Sequence, residues 1–390
     1  MIVASVGLWL AAAALLWRTS VPADLDLPHV DARQVLGPAT LERAERYQRG
    51  LRLLWLGAVA AELAALGVIV WLSRRIRLRR LVAGVAIGAA SLVAVWLVGA
   101  PFALAAHWWR RRYGISRSDY TTILVDPWLE WLGTLAAACV AIALLMLLAR
   151  RLGHRWWLVG GPAFAALGAA FLLVQPFLLV PRLAPLHDPP LAAAIAKLAQ
   201  RQGVGDVEVE VRDASRQTRV INAEFYGVGP TKRMILWDTA LDGRLTRAEL
   251  LALAGHEFGH VEARQVWKSI GWLALFAVPG AYLVARLTRR RGGLAQPAAV
   301  PLALLAFTAL QLLLLPATNA ISRRYEAEAD WLSLRATDDP RAFEGLVRAL
   351  ASASLADPDP PRWAQIVLGT HPTSVERVAM SRAAALRAGS

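Results

Sequence analysis

Leu250-Leu251-Ala252-Leu253-Ala254-Gly255-His256-Glu257-Phe258-Gly259-His260 is an Ala- and Leu-rich stretch that carries H-E-x-x-H. The background favours helix, and residues four apart share a helical face, so both imidazoles are presented together. Imidazole nitrogens are good zinc ligands, and Glu257, beside the first of them, is placed to hold a water that zinc would polarise. Two His and a Glu in an apolar run cost free energy unless they have partners. A surface helix with two chance histidines is the plainer explanation, but the chain has only seven His to scatter. The stretch therefore predicts one Zn2+ per chain, held by His256 and His260, with Glu257 as general base.

The surroundings are unusual for a soluble enzyme. The 390 residues are 56% hydrophobic, with a mean hydropathy of +0.42. The apolar residues fall in long blocks, which predicts a membrane protein rather than a soluble globular one. A net charge of +14 resembles a nucleic-acid signature, but most of the Arg sits in short clusters beside apolar blocks. That is the pattern of topology signals and anionic-lipid contacts, and no nucleic-acid motif accompanies it. The expected partners are membrane lipid and a protein or peptide substrate, with no nucleic acid. The single Cys139 excludes an internal disulfide and a thiolate metal site. Many of the sixteen Trp stand at block edges, as in an interfacial aromatic belt.

Seven apolar blocks are legible, at about 1–17, 53–73, 81–106, 127–149, 156–181, 269–288 and 295–320. The first is short; it lacks a basic start and a small-x-small cleavage site, so it reads as a membrane helix rather than a signal peptide. The predicted organisation is five membrane helices with loops over 1–181, then a small α+β unit with the zinc helix over 182–268. Membrane helices six and seven follow over 269–320, and a helical tail over 321–390. Within the α+β unit, residues 189–203 read as an amphipathic helix, and 207–211 alternate as a half-buried strand does. Residues 219–225 and 234–237 read as two more strands. Thr246-Arg247-Ala248-Glu249 is a capping box that opens the zinc helix. The fold class is mainly α, a polytopic membrane protein with a zincin-like α+β domain whose sheet edge can take substrate as an added strand.

Two histidines leave a catalytic zinc short of one protein ligand. Past the seventh block comes Tyr325-Glu326-Ala327-Glu328-Ala329-Asp330. Glu326 and Asp330 share a helical face, and Glu328 points elsewhere. Glu326 is the natural third ligand, and Asp330 can hold a ligating imidazole by its free N–H. Alone, the stretch would read as a solvated acidic face. His371 precedes Pro372, which fixes an extended backbone there. It could donate to the oxyanion of a tetrahedral intermediate or merely mark a helix entry. Arg377 could act in the same way or pair with an acid.

These residues together resemble the type I CAAX prenyl proteases, integral-membrane zinc metalloproteases. The ordered matches include Arg112-Tyr113-Gly114-Ile115-Ser116, Asp213-Ala214-Ser215-Arg216, Asn222-Ala223-Glu224-Phe225-Tyr226-Gly227 and residues 232–239. His256 to His260, residues 322–330 and Thr370-His371-Pro372 complete the set. The resemblance implies seven tilted helices enclosing a water-filled chamber, closed at one end by the protease domain. It makes His256, His260 and Glu326 the zinc ligands and Glu257 the general base. It puts Asn222 and Ala223 on the substrate-lining edge strand, His371 at the transition state and Arg377 nearby, in contact with substrate.

Charge adds a tension. The loops at 74–80, 150–155 and 289–294 carry eleven Arg and no acid. The positive-inside rule makes their side cytoplasmic and puts the zinc domain outside. The eukaryotic relatives place zinc on the cytosolic side. An Ala/Arg/Leu-rich composition is compatible with a bacterial inner membrane, where the clients would be other membrane proteins, misfolded proteins or short peptides. A zinc-domain sensor or transducer is the competing class, and it requires an additional regulatory domain that the reading above leaves no room for. A transporter with buried metal is disfavoured, because the polar residues cluster at helix–domain junctions.

Overall fold

The computed structural model describes residues 2–75, 80–125, 127–178, 183–227 and 229–388. The chain opens with α1 (Ile2–Leu16) and a short α2 (Ala32–Val35). Four helices follow the apolar blocks closely: α3 (Pro38–Leu72), α4 (Leu81–Arg112), α6 (Pro127–Leu152) and α7 (Trp157–Leu178), with a short α5 (Tyr120–Val125) after α4. The α+β unit contains β1 (Leu183–Pro185), α8 (Pro189–Arg201), β2 (Glu208–Arg212), β3 (Ala223–Tyr226), β4 (Arg233–Trp237) and α9 (Arg247–Glu262). Then come α10 (Gln265–Thr288), α11 (Val300–Thr337), α12 (Pro340–Ser354), α13 (Arg362–Val367) and α14 (Ser374–Ala388).

Among the described residues, six helices are long and apolar enough to cross a membrane: α3, α4, α6, α7, α10 and α11. Their outward side chains include Val82, Leu144, Leu167 and Leu313, which are 60–76% exposed. Exposed aliphatic side chains in such numbers fit hydrocarbon rather than water. The first block is also helical, but α1 has 15 residues, about 22 Å at 1.5 Å per residue, less than the ~30 Å hydrocarbon core. The C-terminal end of the fifth block, 179–181, lies outside the described residues.

Two helices run past the expected block ends. The polar stretch 41–52, ahead of the second block, is continuous with it in α3. The seventh block does not stop at 320 but continues as one 38-residue helix that carries Glu326 and Asp330. A single helix therefore links the apolar span to the third expected ligand.

The sheet has the order β1-β2-β4-β3, with β2 and β4 parallel and both outer pairs antiparallel. This leaves β3 at the edge nearest α9, with Phe225 against Phe258 at 5.9 Å between ring centroids. The strand expected over 219–225 forms only from Ala223, as β3. Residues 218 and 219 bond to the loop after α4 instead, through Thr218 Oγ1 and the Arg219 amide, both to the Ile115 carbonyl. The sheet also gains β1, which three residues could not announce.

Behind the sheet lies one apolar core. It joins Met234 and Leu236 of β4, Leu253 and Phe258 of α9, Ile195 of α8, Phe343 and Leu346 of α12, and Val378 of α14. Val30, Val35 and Tyr47 from the polar segment after α1 are buried in the same core. At the far end of the helices, Arg291 Nη1 donates to the Val70 carbonyl and to Ser73 Oγ, each at 2.9 Å. The third Arg-rich loop thus meets the end of the second apolar block.

Candidate metal centre

The approach of α9 to α11 builds the site, and two glycines permit it. A Cβ on Gly259 would meet the Ala329 backbone at 2.9 Å, and one on Gly255 would meet Ser333 Oγ at 2.9 Å. The Gly255-x-x-x-Gly259 stripe lets two backbones touch, as small residues do wherever helices pack closely. Ser333 Oγ then donates to the Ala252 carbonyl at 2.7 Å. The start of α9 is fixed by the expected capping box between Thr246 and Glu249.

This packing brings His256, His260 and Glu326 together, with one ligand atom from each lying within 4.8 Å of the others. His256 Nε2 lies 3.2 Å from both His260 Nε2 and Glu326 Oε2, and His260 Nε2 lies 3.9 Å from Glu326 Oε2. Two atoms bound tetrahedrally at 2.0–2.1 Å to one zinc stand roughly 3.3 Å apart, so the spacing fits. The tautomers inferred from the hydrogen bonds agree. His256 Nδ1 faces Asp330 Oδ1 at 2.8 Å, and His260 Nδ1 faces Gln265 Oε1 at 2.5 Å. Both Nδ1 atoms therefore carry the proton, and both Nε2 lone pairs converge. Glu326 Oε2 is buried without a hydrogen bond, since neither nearby imidazole is aligned to donate. Three acceptor atoms aimed at one point fit a cation.

The electrostatics point the same way. Burial disfavours a cationic His256, yet its hydrogen bond to Asp330 and the negative charges of Asp330 and Glu326 outweigh burial and raise its pKa to about 10, so the place draws positive charge. Burial pushes the Glu257 carboxyl up, and the imidazoles of His260 and His256 pull it back only in part. A carboxyl held above its ordinary range is suited to taking and returning a proton.

Glu257 and His260 line a cavity of about 300 Å³ together with Phe225 and Tyr226 of β3 and Leu172 and Leu173 of α7. The cavity puts Glu257 against the unpaired sheet edge. Ala223 is buried and in register with Leu236. Asn222 stands just before β3; its carbonyl accepts from Trp237 N–H at 3.1 Å, and its Nδ2 donates to Glu224 Oε1 at 3.3 Å. His371 reaches the other side of the site, with Nε2 3.1 Å from Glu326 Oε2 while its side chain stays half exposed. Arg377 is turned inward, and its Nε and Nη2 both meet Asp330, at 2.8 and 2.6 Å. Gln265, Gly255 and Gly259 escaped the sequence reading. The signals available were a Gln five residues past His260 and a pair of glycines four apart.

The chain matches the model of peptidase family M48 over residues 185–385 and belongs to that family. It is 30% identical over 244 residues to the "Uncharacterized metalloprotease YhfN" of Bacillus subtilis, covering 59% of this chain and 57% of that one. It is 28% identical over 164 residues to the "CAAX prenyl protease 1 homolog" of Dictyostelium discoideum, covering 41% and 38%. The chain thus spans little more than half the length of these relatives, or less. Its fold is similar to that of S. mikatae Ste24p, with a TM-score of 0.70 at 18% identity and 96% of each chain covered. With six apolar spans on this fold, it is a multi-pass integral membrane protein.

Proposed function

We propose that the chain is a membrane-embedded zinc metalloendopeptidase that hydrolyses peptide bonds in membrane-associated or prenylated proteins or peptides. The observation that carries this reading is the convergence of His256 Nε2, His260 Nε2 and Glu326 Oε2 beside Glu257 and an open strand edge. Those three residues would hold the ion. Bound zinc supplies Lewis acidity at the scissile carbonyl and makes water a nucleophile near neutral pH. Glu257 takes the proton of the attacking water and returns it to the leaving amine. Asn222 and Ala223 hold the substrate as an added strand on β3. His371 Nε2, on the opposite side of the site, donates to the oxyanion. Arg377 acts through Asp330 and His256, since two of its three nitrogens, Nε and Nη2, are engaged by Asp330.

Prenylated clients are supported by the names of the eukaryotic relatives, and non-prenylated clients by the likeness to the Bacillus protein. The latter also favours a bacterial inner membrane. Zinc content and peptide cleavage in detergent test the chemistry. Paired peptides with and without a prenyl group separate the clients: equal cleavage of the two removes the prenyl requirement and points to quality control. A reporter fused after Ser390 settles the side. The Arg-rich loops favour the outside, and a cytosolic reporter signal overturns that.

A further inference from the structure

Asp330 supports His256 from α11, but the holder of His260 comes from elsewhere. After α9 the chain breaks at Arg264, which adopts φ 54° and ψ 39°. A left-handed turn at a non-glycine residue costs energy, and it is kept here because the surroundings over-determine it. The turn points the first residue of α10 back at the site. That residue, Gln265, is 5% exposed, and both ends of its amide are used. Oε1 faces His260 Nδ1, and Nε2 donates to the Tyr325 carbonyl at 2.9 Å.

Tyr325 immediately precedes Glu326 and is itself pinned. Its hydroxyl donates to the Leu16 carbonyl at 3.1 Å and accepts from Trp272 Nε1 at 2.9 Å. Neighbouring side chains extend the same grip on the end of α1. Arg324 Nε donates to the Trp17 carbonyl at 2.5 Å, and Lys268 Nζ to the Arg18 carbonyl at 3.1 Å. Buried Glu328 accepts from Ser20 N at 2.8 Å and from Lys268 Nζ at 2.9 Å. The last carbonyls of a helix have no partner within it, so these side chains both cap α1 and fix the α11 turn that carries Glu326.

We infer that Gln265 is a positioning residue: it holds His260 with Nε2 free for metal and ties it to the main chain beside Glu326, so that ligands on two helices stand at zinc spacing before zinc arrives. The inference rests on the ligand set proposed above. A neutral amide suits the place, because a carboxylate would add charge to a site that already holds Glu257, Glu326 and Asp330.

The test uses the full chain in detergent and reads zinc affinity by chelator competition, independently of turnover. Gln265→Met keeps the length and removes both polar ends, and affinity should fall about 10- to 100-fold. Gln265→Glu keeps an acceptor for the His260 N–H but loses the donor to the Tyr325 carbonyl and adds charge, so it should recover only part of that loss. Zinc held as tightly by the Met variant as by the unaltered protein overturns the inference, and so does a Glu variant as weak as the Met variant. Should the Met variant not fold, the 15N shifts of His260 in the metal-free unaltered protein decide, since a proton found on Nε2 overturns the role. Failure of the unaltered protein to bind zinc removes the ligand set itself, a separate outcome.

Discussion

Asp330 is fully buried and bound by Arg377 through two nitrogens, while its Oδ1 also faces His256 Nδ1 at 2.8 Å. Arg377 on α14 thus bears on the proposed metal ligand His256 through one intermediary. Burial lowers the Arg377 pKa, but Asp330 more than reverses this and holds the guanidinium charged. Arg377→Leu strands the carboxylate without a counter-charge, a change that costs about 3–5 kcal/mol in buried pairs. Thermal unfolding should shift down and zinc affinity should fall with it. Arg377→Lys keeps the charge but loses the two-pronged contact, so it should lie between.

Glu257 and His371 are expected to separate binding from chemistry. Glu257→Gln should retain zinc at the stoichiometry of the unaltered protein while cleavage falls by about 10²–10⁴. His371→Ala should also retain zinc, because the three ligands remain, while kcat drops by about 10²–10³ with little change in KM. Metal analysis alongside peptide kinetics checks both, and loss of zinc from either variant contradicts the assigned roles.

Gly259→Ala tests whether helix contact sets the metal spacing. The added methyl meets the Ala329 backbone, which cannot swing aside as a side chain would. Overpacking of this kind costs about 1–3 kcal/mol, and relief requires α9 and α11 to part. Zinc affinity should fall although no ligand is altered. The same change at Gly133, which has open space around it, should leave zinc binding unchanged.

Asp238 gives an acid limb to stability. Burial raises its carboxyl pKa, but hydrogen bonds from Ser215 and from the Ala214 and Ser215 amides win, and the folded value is depressed. A depressed carboxyl contributes stability that is present above its unfolded pKa, about 3.9, and is lost as pH falls through the folded value. Unfolding followed in detergent from neutral pH to about pH 3 should show this loss in the unaltered protein and a flatter profile in Asp238→Asn.

The site was legible where its signals are local. His256, Glu257 and His260 share one helix turn, and Glu326 and Asp330 share another, so spacing alone paired them. Arg377 was recognised as important but not for its target, because which acid an arginine meets is decided by the packing of α14 against α11. Gln265 and Gly259 were missed for the same reason, as their roles exist only once the two helices meet. The apolar blocks gave the spans because hydropathy is a property of the chain itself. Val30, Val35 and Tyr47 were hidden in a segment that looked polar, since their partners lie far away in sequence.

The unbroken course of α11 has a mechanical consequence. A helix advances 1.5 Å and turns 100° per residue, so Glu326 is geared to the residues before it in α11, a helix that runs on through Pro316. The distance of the proposed metal centre from the bilayer is therefore set by the helix itself, as by the marks on a rod. One residue inserted between Pro316 and Glu326 would swing the carboxylate away from His256 and His260 by about a third of a turn while leaving every span intact.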